Sequence, residues 1–186
     1  MAGHYHSQGH EHQEHQGQGP SHLQHKGHAP KTIRCMVITC SDTRSEKNDI
    51  SGSLIKDLLT ADGHEIVGYY IVKDEPDDIK RLLTHRSRED SAQVIIVNGG
   101  TGISQRDSTF EVIDALLEKR LDGFGELFRY LSFKEIGSSA MISRATAGLF
   151  QGKVIFSLPG SEPAVQLAMK QLILPEMGHI VGEMNK

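Results

Sequence analysis

The chain has 186 residues, of which 37% are hydrophobic, and its 24 acidic and 20 basic residues give a formal net charge of −4. This charge argues against a nucleic-acid binder with a broad basic face. No apolar run approaches the roughly 18 residues that span a bilayer, and the start lacks the basic and apolar regions of a signal peptide. We therefore expect a cytoplasmic protein with no nucleic-acid or membrane partner.

Residues 1–30 form a histidine-rich arm that is almost devoid of apolar side chains. The arm holds eight of the 11 histidines: His4, His6, His10, His12, His15, His22, His25 and His28. Such a segment cannot bury enough surface to offset the entropy of ordering, so we expect it to be disordered and residues 31–186 to form one domain. The arm is either a solvated tail, natural or left over from expression, or a loose site for a soft divalent metal.

Strand and helix signals alternate from residue 33 onward. In chain order the pattern first predicts a strand at 33–39, a helix at 50–61, a strand at 65–72, a helix at 76–90 and a strand at 94–97. A helix at 109–120 follows, then a break at 123–125 and a helical stretch at 126–133. The last two elements are a strand at 153–158 and a helix at 163–179 that Pro175 kinks or ends. Residues 136–144 carry no clear signal. Cys35 and Cys40 both fall in the first strand, about 16 Å apart if it is extended, which is too far for a disulfide. Two reduced, buried thiols are the expected state.

Nearly continuous apolar strands that alternate with helices predict a three-layer α/β/α fold with a mostly parallel sheet and helices on both faces. Polar or glycine-rich segments follow four of the strands, at 40–44, 73–76, 98–109 and 159–161. This topology brings the carboxyl ends of the strands to one edge, where ligands bind in such sheets. The four segments are therefore expected to converge on one binding site.

The segment after the third strand is typical of an anion-binding loop. Asn98-Gly99-Gly100-Thr101-Gly102 ends the strand, Arg106-Asp107 follows, and a helix pattern opens at Ser108 or Thr109. Glycines let backbone N–H groups approach a phosphate, an arginine offers a forked donor, and an aspartate offers a metal ligand. The loop matches neither the Walker A pattern nor the dinucleotide fingerprint. A tight turn without a ligand is the alternative.

Four motifs in order resemble the MogA/MoaB proteins of molybdenum cofactor biosynthesis and the related domain of gephyrin-type proteins. The motifs are Gly99–Gly102 with Arg106–Thr109, Ser132–Gly137, Ser143–Arg144 with Gly148, and Pro159–Ser161; Gly123–Glu126 looks like the MoaB branch. The resemblance runs from about Ile33 to the last helix and leaves the arm out.

This resemblance implies adenylylation of molybdopterin: the ATP α-phosphate goes to the terminal phosphate of the pterin and pyrophosphate is released. Asp74 and Asp107 fall on the family's two functional aspartates, which implies a catalytic role and Mg²⁺ binding for both. For either residue alone, capping of the neighbouring helix is the competing interpretation. Some MoaB members lack the aspartate after the glycine loop, so the presence of Asp107 favours an active enzyme.

The resemblance also implies a set of residues that bind substrate or nucleotide. These are Ser41, Asp49, Ser51, Gly52, Gly99, Gly100, Thr101, Gly102, Arg106, Thr109, Ser143, Arg144, Pro159, Gly160 and Ser161. Arg144 could instead pair with a helix carboxylate, Ser161 could merely cap the last helix, and the segment from Ser41 to Gly52 could be a solvated loop. Glu162 departs from the neutral or small residue that many relatives carry.

Two other functions remain open beside the enzyme. One is a non-catalytic molybdopterin-binding or scaffold protein, and the other is metal handling through the arm. The resemblance further implies ATP and molybdopterin as partners, a homotrimer or hexamer, and hand-over to a molybdate-insertion protein. The sequence does not separate a molybdenum from a tungsten pathway.

Overall fold

The structure, a computed structural model, describes residues 30–89 and 91–186. The predicted arm, except for Pro30, lies outside these residues, so its predicted disorder and its boundary stay predictions. Within the described ranges, none of the helices has the length and apolar content needed to cross a bilayer.

A single six-stranded sheet organises the domain. Its strands are β1 Arg34–Cys40, β2 Glu65–Val72, β3 Val94–Asn98, β4 Lys119–Arg120, β5 Thr146–Phe150 and β6 Lys153–Leu158. Their spatial order is β2-β1-β3-β6-β5-β4. The first four strands in that order run parallel, whereas at one edge β5 pairs antiparallel with β6 and β4 pairs antiparallel with β5. The predicted, mostly parallel sheet is confirmed.

Helices cover both faces of this sheet, as predicted. They are α1 Ile50–Ala61, α2 Pro76–Glu89, α3 Thr109–Leu116, α4 Asp122–Ile136, α5 Glu162–Ala168 and α6 Leu174–Met184, with a 3-10 helix at Gly137–Ile142 and a π-helical segment at Met169–Ile173. Helices α1, α4, α5 and α6 pack on one face through residues such as Ile55 and Phe128. Helices α2 and α3 pack on the other face through Ile79, Leu83 and Ile113. The fully buried strand residues between the two helix layers make the sheet the centre of the core.

The edge of the sheet near β4 and β5 was not predicted. Lys119–Arg120, predicted as the end of a helix, forms the short strand β4, and α3 already stops at Leu116. Strand β5 has a central glycine and few β-branched residues, so its local signal is weak. It forms because a tight turn at Gln151–Gly152, with positive φ at both residues, folds it back onto β6.

Helix α4 includes the glycines that were predicted to separate it from the preceding helix, and the break lies instead between Leu116 and Asp122. It begins at Asp122 and continues to Ile136. Gly125 is buried, and a Cβ added there would lie 2.7 Å from the carbonyl oxygen of Ala145. The glycine therefore permits close packing of the helix against the segment before β5, and the prediction of a break at residues 123–125 was wrong.

The last helix is longer than predicted and changes its winding before Pro175. The π-helical segment Met169–Ile173 leads directly into α6, which has Pro175 in its first turn and ends at Met184. Proline has no N–H to donate to the preceding turn, and a locally wider turn accommodates that loss without ending the helix.

The order of the strands creates a switch point between β1 and β3. From β1 the chain goes through α1 to β2 on one side, and then through α2 to β3 on the other side of β1. The connections therefore diverge at the carboxyl ends of β1 and β3. A crevice is expected at such a point, and this one opens beside Cys40 and Asn98.

Candidate active site

An open cleft of about 520 Å³ lies at this switch point. Its wall is built from the segments that follow β1, β3 and β6 and from the 3-10 helix. Eleven of the 17 predicted site residues line it: Ser41, Asp49, Gly99, Gly100, Thr101, Gly102, Asp107, Ser143, Pro159, Gly160 and Ser161. The expected convergence therefore holds for the segments after β1, β3 and β6.

Six predicted residues lie outside the lining: Ser51, Gly52, Asp74, Arg106, Thr109 and Arg144. Each of them contacts a segment that does line the cleft. The Ser51 hydroxyl donates to the carbonyl oxygen of Gly160 at 2.7 Å, which ties the start of α1 to the turn after β6. These six residues therefore support the segments that form the wall of the cleft but do not line it themselves.

The glycine loop presents unused backbone donors to the cleft. Gly99 and Gly100 have φ values of +97° and +61°, in the region that other residues rarely adopt. None of the hydrogen bonds within the described part of the chain uses the N–H of Gly100, Thr101 or Gly102. Consecutive N–H groups of this kind form a concavity that binds anions.

Arg144 fixes the orientation of this loop from the opposite side. Its guanidinium donates to the carbonyl oxygens of Thr101 and Gly102 and to the carboxylate of Glu111, and it stacks over the ring of Phe110. The C=O and N–H groups of a planar trans peptide bond point in opposite directions. Since Arg144 binds the carbonyl oxygens of Thr101 and Gly102, the N–H groups that follow these carbonyls point away from Arg144. The ion pair also keeps the pKa of Glu111 below its usual value. Pairing with a helix carboxylate, the competing interpretation of Arg144, is thus what the structure contains.

Asp74 lies buried beneath the glycine loop. Its Oδ1 accepts hydrogen bonds from the Ser108 hydroxyl at 3.0 Å, the Ser108 N–H at 3.3 Å and the Thr109 hydroxyl at 3.1 Å. A Cβ on Gly100 would fall 2.2 Å from Asp74 Oδ2, so only glycine fits above this carboxylate. Asp74 caps the start of α3 and not, as the competing interpretation had it, the helix after Pro76.

Asp107, in contrast, lines the cleft directly. It is half-buried, and its Oδ2 accepts a single hydrogen bond, 3.1 Å long, from the N–H of Ser104. Its Oδ1 has no hydrogen-bond partner among the described residues. Ser108, not Asp107, occupies the N-cap position of α3. The Asp107 carboxylate is therefore available to a ligand or a metal.

Arg106 points to neighbouring acids. Its Nε and Nη2 donate to the two carboxylate oxygens of Asp42, at 2.9 and 3.2 Å, and its Nη1 lies 2.7 Å from Glu75. The contact holds the pKa of the Asp42 carboxyl below its usual value. These exposed ion pairs connect the loops that follow β1, β2 and β3. Arg106 therefore links the loops that form the rim of the cleft.

A buried carboxylate, Asp49, lies at one end of the cleft. Its Oδ2 accepts from the hydroxyls of Thr39 at 2.5 Å and Tyr69 at 2.6 Å, and its Oδ1 accepts from the N–H of Gly52 at 2.9 Å. Burial and this contact raise the pKa of Tyr69. Because Thr39 gives its proton to Asp49, its oxygen can only accept from Asn98 Nδ2, which lies 2.9 Å away.

With Nδ2 of Asn98 donating to Thr39, the oxygen of the same amide, Oδ1, needs a donor of its own. Asn98 Oδ1 is buried and has no hydrogen-bond partner among the described residues. Since Asn98 lines the cleft, this oxygen is a candidate acceptor for a ligand N–H or O–H, or for a water molecule.

Smaller predictions can also be settled. Ser161 stands at the N-cap of α5, yet its side chain makes no capping hydrogen bond, so its hydroxyl is not committed to the helix. Cys35 and Cys40 are free and buried, and burial raises the pKa of both thiols to about 12. Both are buried strand residues, as predicted, and a thiol with a raised pKa is a poor nucleophile near neutral pH.

Several lining residues were missed by the sequence interpretation. They are Thr39, Cys40, Arg44, Asn98, Ile136, Ser139 and Ile142. Arg44 and Asn98 belong to the polar segments at 40–44 and 98–109, and this position after a strand was the available signal. Ile136 and Ile142 add an apolar wall and are each more than half exposed. Ile136 falls in the motif Ser132–Gly137, which was not assigned to the site, and no local pattern marked Ile142.

Comparisons with known proteins agree on one family. A family model described as a probable molybdopterin binding domain matches residues 36–179. The chain is 50% identical over 157 residues to molybdenum cofactor biosynthesis protein B of Bacillus cereus, covering 84% of this chain and 93% of that protein. A crystal structure of a molybdenum cofactor biosynthesis protein B superposes with a TM-score of 0.81 at 51% identity, covering 84% and 98% of the two chains. The tungsten cofactor synthesizing protein MoaB of Pyrococcus furiosus superposes with a TM-score of 0.78 at 40% identity, covering 85% and 100%.

Proposed function

The chain belongs to the family of probable molybdopterin-binding domains that includes molybdenum cofactor biosynthesis protein B, and from that membership we propose that it adenylylates molybdopterin with Mg-ATP. Membership supports a role in molybdenum cofactor biosynthesis. The observation that carries the finer proposal is the Asp107 carboxylate, which lies in the cleft beside the unused N–H groups of the glycine loop.

The proposed reaction joins two phosphates. A terminal phosphate oxygen of molybdopterin attacks the α-phosphorus of ATP, the bond from that phosphorus to the bridging β-oxygen breaks, and pyrophosphate leaves. The attacking phosphate is already ionised near neutral pH, so no general base is required. Catalysis then depends on positioning and on neutralising negative charge, which suits N–H groups held by a rigid loop.

The charge balance of the cleft favours a divalent cation with the substrates. Of the lining side chains in the described part of the chain, two, Asp49 and Asp107, are acidic and only one, Arg44, is basic, so these side chains alone would repel a polyphosphate. Mg²⁺ is commonly held by one or two carboxylates together with substrate phosphates, where it neutralises their charge. Asp107 fits this role because one of its oxygens has no hydrogen-bond partner among the described residues.

The predicted contribution of Asp74 to metal binding stays a prediction. Its position beneath Gly100 and its three donors favour a different task, which is to hold the loop. The described residues contain no group of three or more histidine, cysteine, aspartate or glutamate side chains placed to bind a metal ion. A site completed by substrate phosphates does not require such a group.

The reaction can be tested directly. We expect the purified full-length protein, given molybdopterin and Mg-ATP, to release pyrophosphate and form adenylyl-molybdopterin, and to do neither when Mg²⁺ is chelated. Mass spectrometry of the product and a coupled pyrophosphate assay provide the two readouts. Binding of molybdopterin with no pyrophosphate release would overturn this proposal in favour of the runner-up, a non-catalytic molybdopterin-binding or scaffold protein. Metal handling by the arm falls on residues outside those described and stays a prediction.

A homo-oligomer is also proposed, as a trimer or hexamer. The supporting observation is a set of large apolar side chains on α4 and the 3-10 helix, each more than half exposed: Leu127, Tyr130, Phe133, Ile136 and Met141. Exposed large apolar side chains concentrated in one part of a protein favour a protein interface there. We expect light scattering to give a trimeric or hexameric mass and Phe133→Glu to lower it, whereas Glu126→Gln, on an exposed site of the same helix, leaves it unchanged. A monomeric wild-type protein at micromolar concentration would contradict the proposal.

A further inference from the structure

Among the described residues that line the cleft, Arg44 is the only one with a cationic side chain. The two arginines among the predicted binding residues donate to protein groups. Arg106 bridges Asp42 and Glu75, and Arg144 holds Glu111 and two loop carbonyls. Neither of them belongs to the lining. If an anion in the cleft contacts a guanidinium in this arrangement, that guanidinium is Arg44.

The loop that carries Arg44 is held by its own hydrogen bonds. The Ser41 hydroxyl accepts from the N–H of Thr43 at 3.2 Å and of Arg44 at 3.3 Å, and Asn48 Oδ1 accepts from the N–H of Ser45 at 2.6 Å. These contacts fix the backbone on both sides of Arg44. An ordered backbone lowers the entropy that the side chain loses when it binds a ligand.

The Arg44 guanidinium is anchored at one point and otherwise uncommitted. Its Nη1 donates to the carbonyl oxygen of Asn48 at 2.8 Å. Its remaining N–H groups donate to no acceptor within residues 30–89 and 91–186. A guanidinium carries five donors in a planar fork that matches two phosphate oxygens, so enough donors remain for a two-point contact.

We propose that Arg44 binds a phosphate group of the ligand in the cleft through the donors that Asn48 leaves unused. The inference deepens the proposed function and rests on it, because both proposed substrates carry phosphates. The charge balance also supports it: without Arg44, the described residues would line the cleft with two carboxylates and no cationic side chain. Whether the phosphate belongs to ATP or to the pterin is decided by the experiment.

The test compares Arg44→Gln, Arg44→Lys and wild type by isothermal titration with Mg-ATP, with adenosine and with molybdopterin. For the phosphate ligand that Arg44 contacts, we expect Arg44→Gln to weaken binding roughly ten- to hundredfold, the usual effect of losing a charge-assisted hydrogen bond. Arg44→Lys should recover part of the loss, since it keeps the charge but not the fork. Adenosine, which has no phosphate, should bind all variants equally.

Arg81→Gln is the matched control because it removes an exposed arginine that is already paired with an acid, Asp78, and does not line the cleft. It should change the affinity for each ligand by no more than about threefold, as expected for a surface ion pair. A loss confined to Mg-ATP assigns Arg44 to the nucleotide, and a loss confined to molybdopterin assigns it to the pterin phosphate. Thermal unfolding of each variant shows that the fold is intact.

Failure of this inference and failure of the proposed function give different results. If Arg44→Gln binds Mg-ATP and molybdopterin as wild type does and still forms the adenylylated product, Arg44 is not a phosphate ligand and the inference is overturned. If wild type forms no product but Arg44→Gln binds Mg-ATP or molybdopterin more weakly than wild type, the reaction proposal fails and the inference stands.

Discussion

Replacing Asp107 with asparagine is expected to lower the rate of adenylyl transfer by about 10²–10³-fold, the range found when one preorganised electrostatic contact is removed from an active site. The asparagine keeps an oxygen that can accept from the N–H of Ser104, so the loop contact survives. What is lost is the negative charge at the cleft wall. The rate should be measured by pyrophosphate release under single-turnover conditions.

The fold should tolerate this change. Asp107 is only half-buried and lies in a surface loop, so we expect the free energy of unfolding to change by less than about 1 kcal/mol. Asp107→Ala, which also loses the Ser104 hydrogen bond, should be as inactive and only slightly less stable. Asp57→Asn, an exposed carboxylate on α1, is the control and should be fully active.

A magnesium titration separates a metal ligand from a merely structural residue. If Asp107 holds Mg²⁺, Asp107→Asn should need a higher Mg²⁺ concentration for its residual activity, whereas a loop defect would lower activity at every Mg²⁺ concentration alike. Turnover near the wild-type rate, with the wild-type dependence on Mg²⁺, would rule out Asp107 as the metal ligand.

The layers of the fold could be predicted because their signals are local. β-branched runs mark β1, β2, β3 and β6, and apolar residues at helical spacing mark the helices that cover them. Strands β4 and β5 have no such signal, since two residues and a glycine-centred pentapeptide become strands only through pairing with β6 and with each other. The helix break predicted at the glycines of α4 was wrong for a similar reason, because tertiary packing overrides the local signal. Their meaning depends on what packs against the helix, not on the helix itself.

In the candidate site, too, some features could be predicted from the sequence and others could not. The location of the cleft was predictable, because topology places the ends of parallel strands at one edge. The directions of the long side chains were not. Arg106 pairs with Asp42, 64 residues away in sequence, and Arg144 with Glu111, 33 residues away. Such choices depend on which acids the tertiary fold brings near. Arg44 was not predicted as a site residue because its role becomes apparent only by comparison. The structure first has to show that the other two arginines donate to protein groups and that most donors of Arg44 do not.

The second large effect is expected at Asp74, where two substitutions should behave differently. Asp74→Ala removes the acceptor for both Ser108 donors and for the Thr109 hydroxyl at a site that is almost completely buried. Leaving buried donors unsatisfied should lower the free energy of unfolding by roughly 3 kcal/mol. Because the glycine loop rests on this carboxylate, activity should fall with it. Asp77→Ala, at an exposed position in the first turn of α2, should be close to neutral.

Asp74→Asn distinguishes the two roles that the residue can have. If Asp74 acts by holding the loop, the amide oxygen replaces Oδ1 as the acceptor, so stability should fall by only about 1 kcal/mol and activity should stay well above that of Asp107→Asn. Chemical denaturation and the pyrophosphate assay on the same samples give both quantities. A protein that is as stable as wild type but as inactive as Asp107→Asn would show that the charge of Asp74 is needed, and that it is the second metal ligand that the family resemblance implies. The buried position beneath Gly100 makes the first outcome the expected one.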